Sequence, residues 1–168
     1  MPSAPRTGCR TAGKAKLLWK QRGGGGDRFQ FKWTKGQNTT ALEFANPTTA
    51  AEYGVCVYAA GSLLGQFDVL ADNVRWLRVG KGYTYKDDSG AAAAGLTKIV
   101  LKSGASDNAK ILVKGSGAAL PDPTLGALAT PLQVQVANLA TGVCWQGTFA
   151  ADDVSVNDAD LLKAKATN

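Results

Sequence analysis

Few side chains in this sequence could carry out covalent chemistry, and histidine is absent from all 168 residues. Nucleophilic catalysis by serine or cysteine commonly needs an imidazole to move the proton. A pair of carboxylates could serve a glycosidase, but the only glutamates are Glu43 and Glu52. Most of the eleven aspartates lie in turn-forming segments, where their side chains bond nearby backbone N–H groups. We therefore predict that the protein is not an enzyme and uses no cofactor.

Four aspartates near the C-terminus are the only candidate ligands for a metal ion. Carboxylate oxygens suit calcium, but the order of these residues does not follow the EF-hand loop and lacks its final glutamate. Structural zinc is not expected either, because the chain has no histidine and no C-x-x-C pair. We expect no metal site, and the calcium candidates are Asp152, Asp153, Asp158 and Asp160.

Aromatic side chains offer a possible contact for sugar rings. Trp76, Tyr83 and Tyr85 lie close together in the sequence, and the two tyrosines are flanked by Lys81, Lys86 and Asp87. The alternative is that most aromatic residues belong to the core, since tryptophan is usually largely buried. Of the three, Tyr83 and Tyr85 are the better candidates for exposed glycan stacking.

The hydropathy pattern favours strands. Phe29, Phe31 and Trp33 alternate with polar residues at a period of two, which indicates a strand with one wet face. Turn residues separate similar segments along the chain. We predict an all-β fold, a β-sandwich of the jelly-roll or immunoglobulin-like kind with about ten short strands. A short C-terminal helix is expected over residues 157–166, capped by Asn157.

Two parts of the chain resemble each other. AKLLWK (15–20) matches TKIVLK (97–102), and each begins a hairpin followed by a Lys-Gly pair, a proline-containing loop and a Gly-Val-Cys tripeptide. This shared order predicts an internal duplication. We therefore divide the chain into a basic arm (1–13), a first β repeat (14–90) and a second β repeat (91–168), packed as one unit.

The cysteines follow this duplication. Cys56 and Cys144 occupy equivalent places in the two repeats and are separated by 88 positions. If the repeats pack around a pseudo-twofold axis, the two thiols could meet and form a disulfide that stabilises the fold. The competing hypothesis is two buried free thiols, which are common in cores. In the disulfide hypothesis Cys9 is unpaired or bonds another subunit.

The net charge of +6 comes from the N-terminal segment. Residues 1–26 hold six basic and no acidic residues, and the rest of the chain holds thirteen of each. An extended basic arm could add to a neighbouring copy, and we assign assembly contacts to Arg6, Cys9, Arg10 and Lys14. Because the basic residues are dispersed, nucleic acid is not the expected partner. No apolar run is long enough to span a membrane, and no apolar leader segment is visible.

The strings GKGYTYKDDSG, GLTKIVLKSG, AKILVKGSGAALPDP and GVCWQGTF follow one another along the chain. They are similar to a module of uncharacterised secreted or surface proteins of environmental bacteria. KWTKGQNTTALEFANPTT and YGVCVY resemble the part that precedes that module, so the likeness covers most of residues 14–150. It implies an exported β module, at the cell surface or outside the cell, and no particular activity.

Three functions follow as hypotheses. The first is a non-enzymatic structural protein that assembles with itself into an extracellular fibre or shell, because a strand-rich chain has many edges to pair. The second is a module that binds carbohydrate or the cell surface, with surface glycans as ligands. The third is a virus-like coat protein.

Overall fold

The computed structural model describes residues 3–167, and almost all of its regular structure is β. Three short 3₁₀ turns lie between the strands, at Ala41–Phe44, Ala91–Ala93 and Ala151–Asp153. The strands are β1 (Arg10–Lys20), β2 (Arg28–Gly36), β3 (Tyr53–Ala59), β4 (Ser62–Val69), β5 (Trp76–Val79), β6 (Gly82–Lys86), β7 (Leu96–Lys102), β8 (Ala109–Ser116), β9 (Leu132–Asn138), β10 (Cys144–Phe149), β11 (Val154–Asp158) and β12 (Leu161–Thr167). The prediction of an all-β chain is confirmed.

The C-terminal helix prediction is wrong, because residues 157–166 fall in the hairpin of β11 and β12. Along β12, Leu162, Ala164 and Ala166 are buried while the residues between them face outward. The strand pairs with β1 from Lys14 opposite Thr167 to Lys20 opposite Leu161. Burial of this alternating face outweighs the helix propensity of its alanines and lysines.

The sheet is mixed and curled around β1. Its strand order is β4-β3-β9-β10-β1-β2-β8-β7-β6-β5, with β12 also paired to β1 and β11 paired to β12. Strand β1 begins parallel to β10 at Arg10 and Thr11, and from Lys14 onward it pairs with β12 on that side. The long β1 therefore joins two branches of the sheet, one on either side of the core.

Aromatic residues close the curl. Trp19 on β1 and Phe29 on β2 pack against Phe67 on β4, with ring centroids 5.9 and 4.8 Å from Phe67. Trp76 on β5 packs against Tyr53 on β3 at 5.5 Å. Such aromatic pairs stabilise the fold beyond the contribution of the apolar area that they bury. The two branches thus face each other across one continuous apolar core.

The two matching hairpins lie side by side. They are β1–β2 and β7–β8, and β2 pairs with β8, so that Phe31 lies opposite Val113. The Gly-Val-Cys tripeptides are placed differently, because Cys56 lies within β3 whereas Cys144 is the first residue of β10. The boundary expected between arm and first repeat, at residues 13 and 14, falls inside β1. The duplication itself stays a prediction.

Candidate functional site

The predicted disulfide between Cys56 and Cys144 is wrong. Cys144 is bonded to Cys9, with their Cα atoms 4.7 Å apart, and Cys56 is a buried free thiol. Strand β9 lies between β3 and β10, so Cys56 and Cys144 are at least two strand spacings apart, about 9.5 Å. A disulfide needs Cα atoms within roughly 7 Å. Burial raises the pKa of the Cys56 thiol, which keeps it protonated and unreactive.

The N-terminal segment is held against its own chain. The Arg6 N–H donates to Gln135 Oε1 at 3.0 Å, and Gln135 Nε2 donates to the Arg6 carbonyl at 2.8 Å. Arg10 forms an ion pair with Glu43, and Cys9 is bonded to Cys144.

Of the four residues assigned to an assembly arm, only Lys14 is an exposed strand residue. The others are engaged within the subunit, so residues 3–13 do not form the projecting arm that the sequence predicts. Met1 and Pro2 of that arm lie outside the described residues.

The aromatic residues proposed to stack on glycans are mostly core residues. Trp76 and Tyr85 are 0% and 2% exposed, and their rings pack together at 5.3 Å. Tyr85 lies opposite the buried Ile99 in the ladder, so its side of β6 faces the core. Only Tyr83 is partly exposed. The stacking prediction is therefore wrong for Trp76 and Tyr85.

The calcium candidates do not converge. Among residues 3–167 no group of acidic side chains is arranged to hold a metal ion. Asp152, Asp158 and Asp160 are exposed, and the Asp153 carboxylate accepts the Ala150 N–H at 2.9 Å. The Asp153 bond stabilises the 3₁₀ turn before β11, as short acidic side chains commonly do.

The outer side of six neighbouring strands carries most of the positive charge of the molecule. On β1 the buried residues Ala15, Leu17 and Trp19 face the core, so Lys14 and Lys16 face outward, since side chains alternate along a strand. The same alternation holds on β12, β2, β8, β7 and β6. We call this side of the sheet the lysine face; its basic residues are Lys14, Lys16, Lys20, Arg28, Lys32, Lys86, Lys98, Lys102, Lys110, Lys114, Lys163 and Lys165.

The strand register places these charges directly opposite one another. Lys98 lies between Lys86 and Lys114 across three strands. Directly opposite residues have Cβ atoms about 5 Å apart, and like charges at such positions are destabilising. Three further sets show the same arrangement, namely Lys165–Lys16–Lys32, Lys102–Lys110 and Lys20–Arg28. The lysine face is a lattice of basic side chains whose Cβ atoms lie about 5 Å apart across the strands.

Acidic residues do not neutralise this lattice. The six strands contain no aspartate or glutamate. Within the described part of the chain, the lysine face has one ion pair, between Lys86 and Asp88 at 3.1 Å, and both partners are largely exposed. An exposed pair of this kind contributes little. The twelve named residues are most of the 19 basic residues of the chain, whereas all 13 acidic residues lie outside these six strands.

The residues between the lysines are aliphatic or small and polar. Leu18, Val100 and Leu112 are half-buried, as are Gln30 and Thr84. None of the outward-facing residues of these six strands is aromatic. The chemistry that the lysine face offers is therefore a set of ammonium groups on flexible stems over a thin aliphatic layer.

The sequence contains the signal for this face, but a sum of charges hides it. Lysines are two or four residues apart in KAK (14–16), KIVLK (98–102), KILVK (110–114) and KAK (163–165), and only strand alternation shows that they share one side. The last of these segments lies in the predicted C-terminal helix, so the sequence pattern alone does not place it on this face. The acidic residues lie in loops and in strands outside this group. Counted along the chain they cancel the lysines, although in space the two sets are separated.

No helix within residues 3–167 is long and apolar enough to span a membrane. Comparisons of the chain with protein-family models, with curated proteins and with solved structures found no match.

Proposed function

We propose that the protein is a non-enzymatic binding protein that holds an anionic polymer against the lysine face. The observation that carries this proposal is the lattice of twelve cations on one side of the sheet, on strands without a single acidic residue. A field of one sign on one side of a molecule attracts polyanions and raises their rate of association.

Energetic cost supports a functional origin of this lattice. Like charges directly opposite one another in a sheet destabilise the fold. Threonine or glutamine at half of these positions would keep the strand pattern without the repulsion. A bound polyanion removes the repulsion and releases its own condensed counterions, so binding also stabilises the folded chain.

The type of cation indicates what is recognised. Eleven of the twelve basic residues on the lysine face are lysine, which is a compact point charge on a flexible stem. Arginine would present a rigid fork suited to one carboxylate or phosphate geometry. A lattice of lysines recognises charge density and tolerates variation in the spacing of the anions.

Retention on immobilised heparin tests the proposal with matched variants. Lys16→Gln, Lys32→Gln and Lys165→Gln together remove one row of the lysine face. Arg22→Gln, Arg78→Gln and Lys81→Gln remove the same charge from exposed positions outside the six strands. We expect the first triple variant to elute at clearly lower salt than the wild type and the second to elute close to it. Equal loss from both triples would mean that net charge alone is responsible, and the proposed site would be wrong.

Self-assembly is a second candidate, and the open edges of the sheet favour it. Strands β4 and β5 each have one neighbour within the described residues, and the short β5 exposes Leu77 and Val79 at 58% and 59%. An exposed apolar edge strand is a template for pairing with another chain. Under this proposal, copies of the chain join through β5. The two branches of the curled sheet would then form the two layers of the sandwich that the sequence predicts.

Light scattering separates this second candidate from the first. Assembly through β5 predicts a particle larger than one subunit, which Leu77→Lys with Val79→Lys converts to a monomer. A monodisperse wild-type monomer at high protein concentration would remove self-assembly and leave polyanion binding intact.

We also propose that the protein acts outside the cytoplasm. The Cys9–Cys144 disulfide supports this location, because disulfides persist in oxidising compartments.

A further inference from the structure

We infer that the polymer bound by the lysine face is a flexible acidic polysaccharide rather than a nucleic acid or a lipid surface. This inference rests on the proposed polyanion binding and names its ligand class. It depends on the shape of the face, on the side chains that accompany the lysines and on the compartment that the disulfide indicates.

The lysine face is the outside of a curl. The core lies on the opposite side of the same strands, where Trp19 meets Phe67 and Trp76 meets Tyr53 across it. A sheet that curls around its core presents a convex outer surface. A DNA duplex is stiff over about 50 nm, so it touches a convex surface only along a line. A flexible chain can follow the surface and meet several rows of lysines at once.

The face has nothing that recognises a nucleobase. Single-stranded nucleic acids are commonly held by aromatic side chains on which the bases stack, and the outward residues of these six strands include no aromatic residue. Sequence is read through side chains such as arginine, asparagine and glutamine that contact base edges. Here Arg28 and Gln30 are the only outward residues of those types. A polyanion without bases needs none of these base-recognising side chains, so their absence from the face does not weaken its binding.

An aliphatic strip separates two rows of lysines. Thr84, Val100 and Leu112 lie opposite one another across β6, β7 and β8. The row Lys86–Lys98–Lys114 lies on one side of the strip, and the pair Lys102–Lys110 lies on the other. Neighbouring rows on one face are two residues, or about 7 Å, apart along the strand. The C–H faces of sugar rings fit this strip while their carboxylates reach the ammonium groups beside it.

The same strip does not suit insertion into a lipid layer. Val100 and Leu112 are half-buried, whereas the lysines beside them are exposed, and the strip has one exposed aliphatic side chain, Leu77 at its end on β5. Interfacial binding depends on apolar side chains that enter the boundary of the acyl chains, and here the lysine heads lie outermost. Together with a disulfide that persists in oxidising compartments, this geometry favours an exported acidic glycan as the ligand.

Binding of four probes to the intact protein tests the inference. The probes are a polygalacturonate fragment, a single-stranded DNA and a DNA duplex with the same number of charges, and phosphatidylglycerol vesicles, all at about 0.15 M salt. We expect polygalacturonate to bind at least about tenfold more tightly than either DNA and the vesicles to bind more weakly still. The variant Lys86→Gln, Lys98→Gln, Lys114→Gln should lose at least about tenfold of the polygalacturonate affinity. The triple of Arg22→Gln, Arg78→Gln and Lys81→Gln is the control, and circular dichroism checks that each variant is folded.

Each outcome has a distinct meaning. If either DNA binds as tightly as polygalacturonate, or if vesicles alone bind, the inference is overturned while polyanion binding stands. If none of the four probes binds, both the inference and the proposed function fail. If polygalacturonate binds and the Lys86 row variant binds it equally well, the ligand class stands but its place on this strip is wrong.

Discussion

At the scale of single residues, the lysine lattice predicts an unusual trade-off. Lys98 has a lysine directly opposite on each side. Lys98→Glu replaces two repulsive pairs with two attractive ones, so we expect it to stabilise the free protein by about 0.5–1 kcal/mol. The same change should weaken polyanion binding, because it places an anion in the middle of the site. Urea unfolding and heparin retention of one protein sample measure both effects.

The control for this trade-off is Arg78→Glu, since Arg78 is exposed on β5 and lies opposite Tyr83, on the other side of the sheet from the lysines. The control variant should change both the unfolding free energy and the heparin retention less than Lys98→Glu does. A destabilised Lys98→Glu variant would show that the opposing lysines do not repel one another significantly.

Asp87 predicts a second residue-scale effect, in acid. Its carboxylate accepts the Ser89 hydroxyl at 2.7 Å and the Ala92 N–H at 3.0 Å, and these bonds hold its pKa below the ordinary value. A lowered folded pKa contributes stability above the unfolded value of about 3.9, and this stability is lost as the pH falls through the folded pKa.

We expect Asp87→Asn to be less stable than the wild type at pH 7. The difference in unfolding free energy should shrink between pH 5 and pH 2. Urea titrations at several pH values measure it. A difference that stays constant over this range would show that the Asp87 charge is not the source of the stability.

At the scale of strands and hairpins, alternation is what the sequence predicts well. Phe29, Phe31 and Trp33 are large enough that their period of two is unambiguous, and all three are buried on β2. The sequence of β12 predicts a helix rather than a strand because its buried side is made of Leu162, Ala164 and Ala166. Alanine is small and favours helices, so the apolar alternation is weak there. Pairing with β1 decides the structure, and that partner is distant in sequence.

The cysteine pairing could not be predicted for a related reason. Three cysteines allow three single pairings, and the choice depends on β9 lying between β3 and β10. The position of β9 between these two strands is a property of the strand order in the sheet. The equivalence of Cys56 and Cys144 along the chain carries no information about it.

The observed pairing predicts a loss of stability when Cys9 is replaced. The bridge joins residues separated by 135 positions, so Cys9→Ser should destabilise the protein by about 2–5 kcal/mol and release the segment that Gln135 holds. Denaturant unfolding measures the loss. Cys56→Ala is the matched variant, because it removes a thiol and leaves the bridge intact.

A peptide map under non-reducing conditions checks the connectivity itself. It should yield the Cys9 and Cys144 peptides joined, with Cys56 alkylated only after unfolding. Joined peptides of Cys56 and Cys144 would contradict the structure described above.

At the scale of the whole molecule, the separation of charge is the main result. Summed along the sequence, the residues beyond 26 have no net charge, and this sum assigns the whole positive excess to the N-terminal segment. In the folded chain twelve basic residues share one side of the sheet, while the acidic residues lie in loops and other strands. Lys14, Lys16 and Lys20, which lie in the basic N-terminal segment 1–26, belong to this face together with lysines from the second half of the chain.

The dependence of binding on salt tests the central claim most directly. Affinity for a polyanion falls with salt, with a log–log slope of about 0.7–0.9 per phosphate neutralised in nucleic acids, and a similar dependence applies to polygalacturonate. The Kd of polygalacturonate is measured between about 50 and 200 mM salt for the wild type, for the Lys86, Lys98 and Lys114 triple variant, and for the Arg22, Arg78 and Lys81 triple variant. We predict that the slope is steep for the wild type, shallower by about two to three contacts for the first variant, and unchanged for the second. A slope that is the same in all three proteins would contradict the assignment of polyanion binding to the lysine face.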